Sequence, residues 1–141
     1  MLKLSCLCGQ SIVTLSKRPE FIHACNCILC SKTGAHWGYF HPSEASVSGE
    51  TQGWSRTDKD APSAEIRFCA TCGSTTHFRL TPGAVAQHGD VMMGVNMRLA
   101  DEGDLAGIEL RFPDGRAWAG TGEFAYVREG WVIGGVMQVV Q

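Results

Sequence analysis

Glu65-Ile66-Arg67-Phe68-Cys69-Ala70-Thr71-Cys72-Gly73 leads through Ser74 into Thr75-Thr76-His77-Phe78-Arg79-Leu80. The first four residues read as a strand and the last six as its hairpin partner. Between them sits a CxxC closed by glycine, a tight turn that points two thiolates and nearby backbone N–H groups at one metal ion. Similar short runs lie on both sides, at residues 11–15, 21–24, 36–40, 44–49 and 92–96. Pro42 ends the third of these, because proline cannot donate to a ladder. Short strands at such spacing predict a mostly β fold with short helical turns. Residues 99–106 are expected to hold one helical turn and Pro113-Asp114-Gly115 a turn. The polar segment 52–63, with Trp54 inside it, is expected as an exposed loop. Residues 108–112 and Trp118 are expected in the core.

Bulk composition narrows the class. The chain has 141 residues, the size of one domain, and no repeat or low-complexity boundary divides it, so a single domain over 1–141 is expected. At 44% hydrophobic residues it can bury a core without covalent staples. Its 12 Lys+Arg against 14 Asp+Glu give a net charge of −2, which carries no basic footprint for nucleic acid. The longest apolar run, 131–140, is broken by Gly134, Gly135 and Gln138 and is far short of the ~20 residues a membrane span needs. The opening Met1-Leu2-Lys3-Leu4-Ser5-Cys6 lacks the apolar segment of a secretory leader, so the expected location is the cytoplasm.

Seven cysteines fall as Cys6/Cys8, Cys25/Cys27/Cys30 and Cys69/Cys72. A disulfide framework would suit a secreted chain. The odd count and the CxC and CxxC clustering point instead to metal ligation. A closed tetrahedral site needs four ligands, and Cys6 and Cys8 can complete the pair offered by Cys69 and Cys72. A redox dithiol at Cys69/Cys72 is the alternative reading of that motif. The remaining Cys25, Cys27 and Cys30 can wrap a second ion with one position open, the pattern of a catalytic zinc. His23, His36, His41 and His77 are candidates for a fourth ligand there.

Three thiolates place three negative charges against a divalent ion. That weakens water activation and suits an incoming thiolate, so the open position reads as a place for a substrate thiol. Lys32 either offsets the excess charge or is a plain surface lysine. His23, His36, Lys32 and Arg98 are the candidate donors to a developing alkoxide.

The ordered motifs Cys6-Leu7-Cys8-Gly9, Cys25-Asn26-Cys27-Ile28-Leu29-Cys30-Ser31-Lys32-Thr33-Gly34 and Arg67-Phe68-Cys69-Ala70-Thr71-Cys72-Gly73 resemble the glutathione-dependent formaldehyde-activating enzyme family, which also includes centromere protein V. Val95-Asn96-Met97-Arg98-Leu99, Asp104-Leu105 and Phe112-Pro113-Asp114-Gly115-Arg116 extend the likeness, which covers about residues 3–116. The resemblance implies an Mss4-like, mostly β, zinc-binding fold. It implies structural zinc ligands at Cys6, Cys8, Cys69 and Cys72 and catalytic zinc ligands at Cys25, Cys27 and Cys30, two zinc ions per chain. The implied activity is that of a carbon–sulfur lyase joining glutathione to formaldehyde. Asn26 stands where many members carry His, and Ser31 where many carry Arg or Gln, next to the open site. The leading expectation is an enzyme acting on a small-molecule thiol and a small aldehyde. A non-catalytic zinc module that binds a partner, with Trp54 as a contact, and a redox or zinc-storage role for the central cysteines are the competing readings.

Overall fold

The computed structural model describes residues 1–135, so the run 131–140 lies partly outside the described residues. Leu2–Ser5 (β1), Ile12–Leu15 (β2) and Ala45–Ser48 (β5) form a three-stranded antiparallel sheet in the order β1-β2-β5. A second sheet has eight strands. From one edge they are Tyr126–Val132 (β11), Glu109–Pro113 (β10), Phe21–His23 (β3), Trp37–Phe40 (β4), Met93–Asn96 (β9), Thr75–Leu80 (β8), Ala64–Cys69 (β7) and Thr51–Trp54 (β6). Neighbours are antiparallel except β10 and β3, which run parallel with Leu110 opposite Ile22. The molecule is mostly β.

Two apolar clusters follow from the period-2 alternation of the strands. Leu4, Val13 and Leu15 of the small sheet pack with Ile22, Phe40, Met93 and Val95 of the large one. On β4 and β8 the alternate residues Trp37 and Phe78 belong to a second cluster with Ala35 and Ile66, and Tyr39 packs against it. The middle of the large sheet is thus covered on both faces, and all four residues of β9 are buried. A Cβ at Gly94 of β9 would collide with the Phe78 ring, so the absent side chain is what makes room for that ring.

Two short helices complete the frame. Ile28–Thr33 (α1) starts at Cys27, whose sulfur accepts from the Cys30 N–H, and stops at Gly34 with φ 69°. That left-handed conformation costs glycine nothing. Pro82–His88 (α2) starts at Thr81, whose hydroxyl accepts from the Ala84 N–H, with Pro82 pre-set for the first turn. The helical turn expected within 99–106 is present as 3-10 turns at Met97–Leu99 and Glu102–Leu105.

Several expectations are corrected. The loop over 52–63 begins only after β6, because Thr51, Gln52, Gly53 and Trp54 pair with β7 as an edge strand. An edge strand with one solvated face needs little apolar content, so its polar sequence hid it. Trp118 is 39% exposed, not core.

Candidate metal centres and the cavity beside them

Four cysteine sulfurs meet where the small sheet adjoins the β7–β8 hairpin. The Sγ atoms of Cys6, Cys8, Cys69 and Cys72 all lie within 4.8 Å of one another. Two loops of the same design bring them there. Gly9 N–H donates to the Cys6 carbonyl at 3.1 Å, and Gly73 N–H to the Cys69 carbonyl at 2.9 Å. Cys6 and Cys69 are buried, and Cys8 is exposed. Ser11 N–H donates to Cys6 Sγ at 3.2 Å, and the Ser74 hydroxyl lies 3.2 Å from Cys72 Sγ. The separations Cys6–Cys8 and Cys8–Cys69 are 3.6 and 3.7 Å. Sulfurs bound tetrahedrally at about 2.3 Å stand ~3.8 Å apart, so this spacing fits a metal ion at the centre. Charge argues the same way. Ser74 holds the Cys72 thiol down at about 5, first through its hydroxyl and then its N–H. Cys8 is pushed up to about 12 by desolvation and its three neighbouring thiols, against a lowering Gln10 N–H. Four sulfurs this close need a cation to carry thiolate charge together.

The second cluster is built on the β3–α1 connection. Cys25, Cys27 and Cys30 have their sulfurs within 4.8 Å of one another. Each sulfur accepts an N–H hydrogen bond: Cys25 from the Cys27 N–H at 3.4 Å, Cys27 from the Cys30 N–H at 3.4 Å, and Cys30 from the Trp37 indole N–H at 3.3 Å. Cys27 is pushed down to about 2, first by hydrogen bonds from the Cys25 and Cys30 thiols and then by backbone N–H groups. Cys25 and Cys30 are pushed up, chiefly by hydrogen bonds to the neighbouring cysteines. Protons are thus shared over one negative charge, and a divalent cation can replace them. Among the described residues no fourth His, Asp or Glu joins this group.

A loop from the far end of the chain closes over it. Asn26 Nδ2 donates to Asp114 Oδ1 at 3.0 Å, while Asn26 Oδ1 accepts from the Arg116 N–H at 3.1 Å. The Arg116 guanidinium donates to the Asn26 carbonyl at 2.8 Å. Gly115 lies so near that a Cβ there would collide with Cys25 Sγ and stand 3.0 Å from Cys27 Cβ. Asn26, between the cysteines, therefore works as a latch on the 114–116 turn.

The cluster forms part of the wall of a cavity of about 440 Å³. The rest of the wall is mostly apolar and aromatic, including Trp37, Ile66, Phe78, Trp118 and Phe124. Two polar rings join it. His23 Nδ1 and the Tyr39 hydroxyl are 3.0 Å apart. Burial, and after it the charges of Cys30, Cys25 and Cys27, push the Tyr39 hydroxyl up, so it stays protonated. Burial and then Arg111 push His23 down to about 4. His23 Nε2 is buried with no hydrogen-bond partner among the described residues.

The other candidates from the sequence fall elsewhere. His36 and Arg98 line a different cavity, with Glu102. His41 caps a 3-10 turn, accepting from Ser43 N–H. His77 is buried, with Nδ1 2.9 Å from the Thr76 hydroxyl. Lys32 is exposed in the last turn of α1. Tyr39 and Trp37 are site residues that the sequence did not single out, and the sequence placed Asn26 beside the open site without its bonds to the 114–116 turn. A tyrosine one step from Phe40 in a strand must face the opposite side, which was the available signal for Tyr39.

Residues 1–106 match the family described as glutathione-dependent formaldehyde-activating enzyme. The chain belongs to this family. A crystal structure of a Rhodobacter sphaeroides protein is similar in fold, with a TM-score of 0.56 and 22% identity over 76% of this chain and 97% of that one. No curated protein matches the chain significantly. The family ties the molecule to glutathione and formaldehyde chemistry, and both cysteine clusters could hold metal ions. No helix among the described residues is long and apolar enough to cross a membrane.

Proposed function

We propose that this protein is a zinc enzyme that makes or breaks the carbon–sulfur bond between a thiol and an aldehyde. Cys6, Cys8, Cys69 and Cys72 would hold a structural zinc, and Cys25, Cys27 and Cys30 a second one with an open position. The observation that carries the reading is the contrast between the clusters. One has four sulfurs; the other has three, no further protein donor among the described residues, and a cavity at its side. Zinc bound at the three-sulfur cluster would supply an open position that favours the thiolate form of a substrate thiol.

The protein's own groups do the rest. The indole of Trp37 and the two backbone N–H groups fix the three sulfurs and draw off part of their charge. The apolar walls exclude water, which strengthens each remaining polar contact. As a thiolate attacks the carbonyl carbon, charge grows on its oxygen. Tyr39 is the group suited to meet it, being protonated, in the cavity wall, and backed by His23. In the reverse direction the same pair would take the hydroxyl proton back. The family name makes glutathione and formaldehyde the first pair to assay.

The test is NMR exchange between free and adduct forms of thiol–aldehyde pairs, run beside metal analysis. The expected result is catalysed exchange that Tyr39→Phe slows by about 100-fold or more, the lower end of what a positioned proton donor contributes. Uncatalysed exchange with both clusters loaded would sink the enzyme reading in favour of a non-catalytic zinc module.

A further inference from the structure

Two cavities meet at the three-sulfur cluster, and their chemistry differs. The first, of about 440 Å³, is walled by Leu29, Ile66, Phe78, Leu80, Met92 and Phe124 around the Cys25/Cys27/Cys30 sulfurs. The second, of about 560 Å³, is edged by Arg56, Lys59 and Arg116. They share Cys27, Gly115 and Trp118. We propose that the site takes an aldehyde, or its thiol adduct, bearing a bulky aromatic or branched apolar group in the first cavity. The anionic end of the thiol partner lies in the second. The inference rests on the function proposed above and names its substrate class.

Volume and polarity carry the argument. Formaldehyde is little larger than a water molecule, whose share of liquid volume is about 30 Å³. It would leave most of the first cavity to water held against apolar walls. A benzene ring is held by an apolar cavity of about 150 Å³, so an aryl or branched alkyl substituent fits with room for the carbonyl and sulfur. The polar rings His23 and Tyr39 belong to this same cavity, where the carbonyl oxygen would be.

The second cavity has the opposite character. Arg56 is paired with Asp58 through both guanidinium edges, at 2.7 and 2.6 Å. Lys59 and Arg116 have no carboxylate within salt-bridge distance among the described residues. Asp114 is turned to Asn26 on the latch. The cleft is thus lined by three basic side chains and no carboxylate, two of them free of an ion-pair partner, and a substrate carboxylate there would be paired while its sulfur reaches the cluster. The bond balance is that of a thiohemiacetal. The thiolate sulfur gives its lone pair to the carbonyl carbon, the C=O π pair moves to oxygen, and oxygen takes one proton. No oxidant is needed.

Stable thioethers mimic the adduct. Isothermal titration of the zinc-loaded protein with S-benzyl- and S-methyl-mercaptosuccinate should give at least a tenfold tighter Kd for the benzyl compound, the scale of filling an apolar pocket. A smaller ratio overturns the proposal. Leu80→Trp, which narrows the cavity, should bring the ratio towards one. An unchanged ratio places the benzyl group elsewhere and also overturns it. The double change Lys59→Gln with Arg116→Gln should weaken both ligands about tenfold, and no weakening removes the anionic half. Cobalt-loaded protein titrated with 2-mercaptoethanol keeps the two ideas apart. An unmoved sulfur–cobalt band defeats the thiol-binding function, whereas a shifted band with no benzyl preference defeats only the substrate class.

Discussion

Gly115 and His77 show how single positions carry different loads. Gly115 has no side chain because Cys25 Sγ and Cys27 Cβ occupy the space one would take. Gly115→Ala must push the 114–116 turn off the cluster or displace Cys25. We expect a folded protein with one metal ion per chain rather than two, read by metal analysis and circular dichroism; two retained ions would mean the turn can move aside freely. Asn26→Ala should loosen the same turn without touching a sulfur, since it removes both side-chain bonds to Asp114 and Arg116. His77 acts through burial. Burial first, then Arg79 and Arg67, lower it from 6.5 to about 4. The folded state keeps it neutral while the unfolded chain takes up a proton below pH 6.5, so stability is full above that pH and falls as pH drops towards 4. The shift corresponds to about 3 kcal/mol. Urea melts of wild type and His77→Phe should show the wild type losing about that much more between pH 7 and 4. Equal losses would place the acid sensitivity elsewhere.

At the scale of elements, the two clusters sit on different supports. Cys6 and Cys8 follow β1, and Cys69 ends β7 with Cys72 on the turn to β8, so the four sulfurs clip the small sheet to the large one across 61 residues between Cys8 and Cys69. Cys25, Cys27 and Cys30 span one short connection. Closing a distant loop restrains the unfolded chain more than closing a short one, and a metal site assembled on folding adds its binding energy to the fold. Cys72→Ser should therefore cost several kcal/mol, roughly 10 °C or more in Tm. Cys30→Ser should leave a folded domain lacking exchange activity. Melts and metal content of both variants would decide, and equal unfolding would make the central metal structural too. Much of this frame was legible in the sequence. The alternation in 11–15, 75–80 and 92–96 and the glycine-closed cysteine turns are local signals, and local signals survive in a sequence. β6 was not legible because an edge strand can be polar, and Trp118 was misread because a large ring in a loop can line a cavity instead of a core. The site's second half was hidden for a different reason. Asn26 meets the 114–116 turn only through sheet order, with β10 beside β3, and no spacing within the chain encodes that neighbour.

For the whole molecule, the question is whether its two metal centres behave as one unit or two. The four-sulfur cluster has two buried cysteines and joins both sheets, whereas the three-sulfur cluster opens onto a cavity. A chelator reaches a metal through an open position and must otherwise wait for local unfolding. Loss of the open metal should remove few contacts, because α1 and the Asn26 latch are held by backbone and side-chain hydrogen bonds of their own. Loss of the closed metal should release the clip between the sheets. Treatment with a chromogenic chelator should therefore release zinc in two phases of equal size. The first should proceed with unchanged far-ultraviolet circular dichroism and abolish exchange activity, and the second should coincide with the loss of β structure. Gly115→Ala should lack the first phase and keep the second. A single phase, with both ions leaving as the fold is lost, would mean that the three-sulfur cluster is as much a part of the frame as the four-sulfur one. The cavity would then border a structural metal, and the non-catalytic module would account better for the molecule.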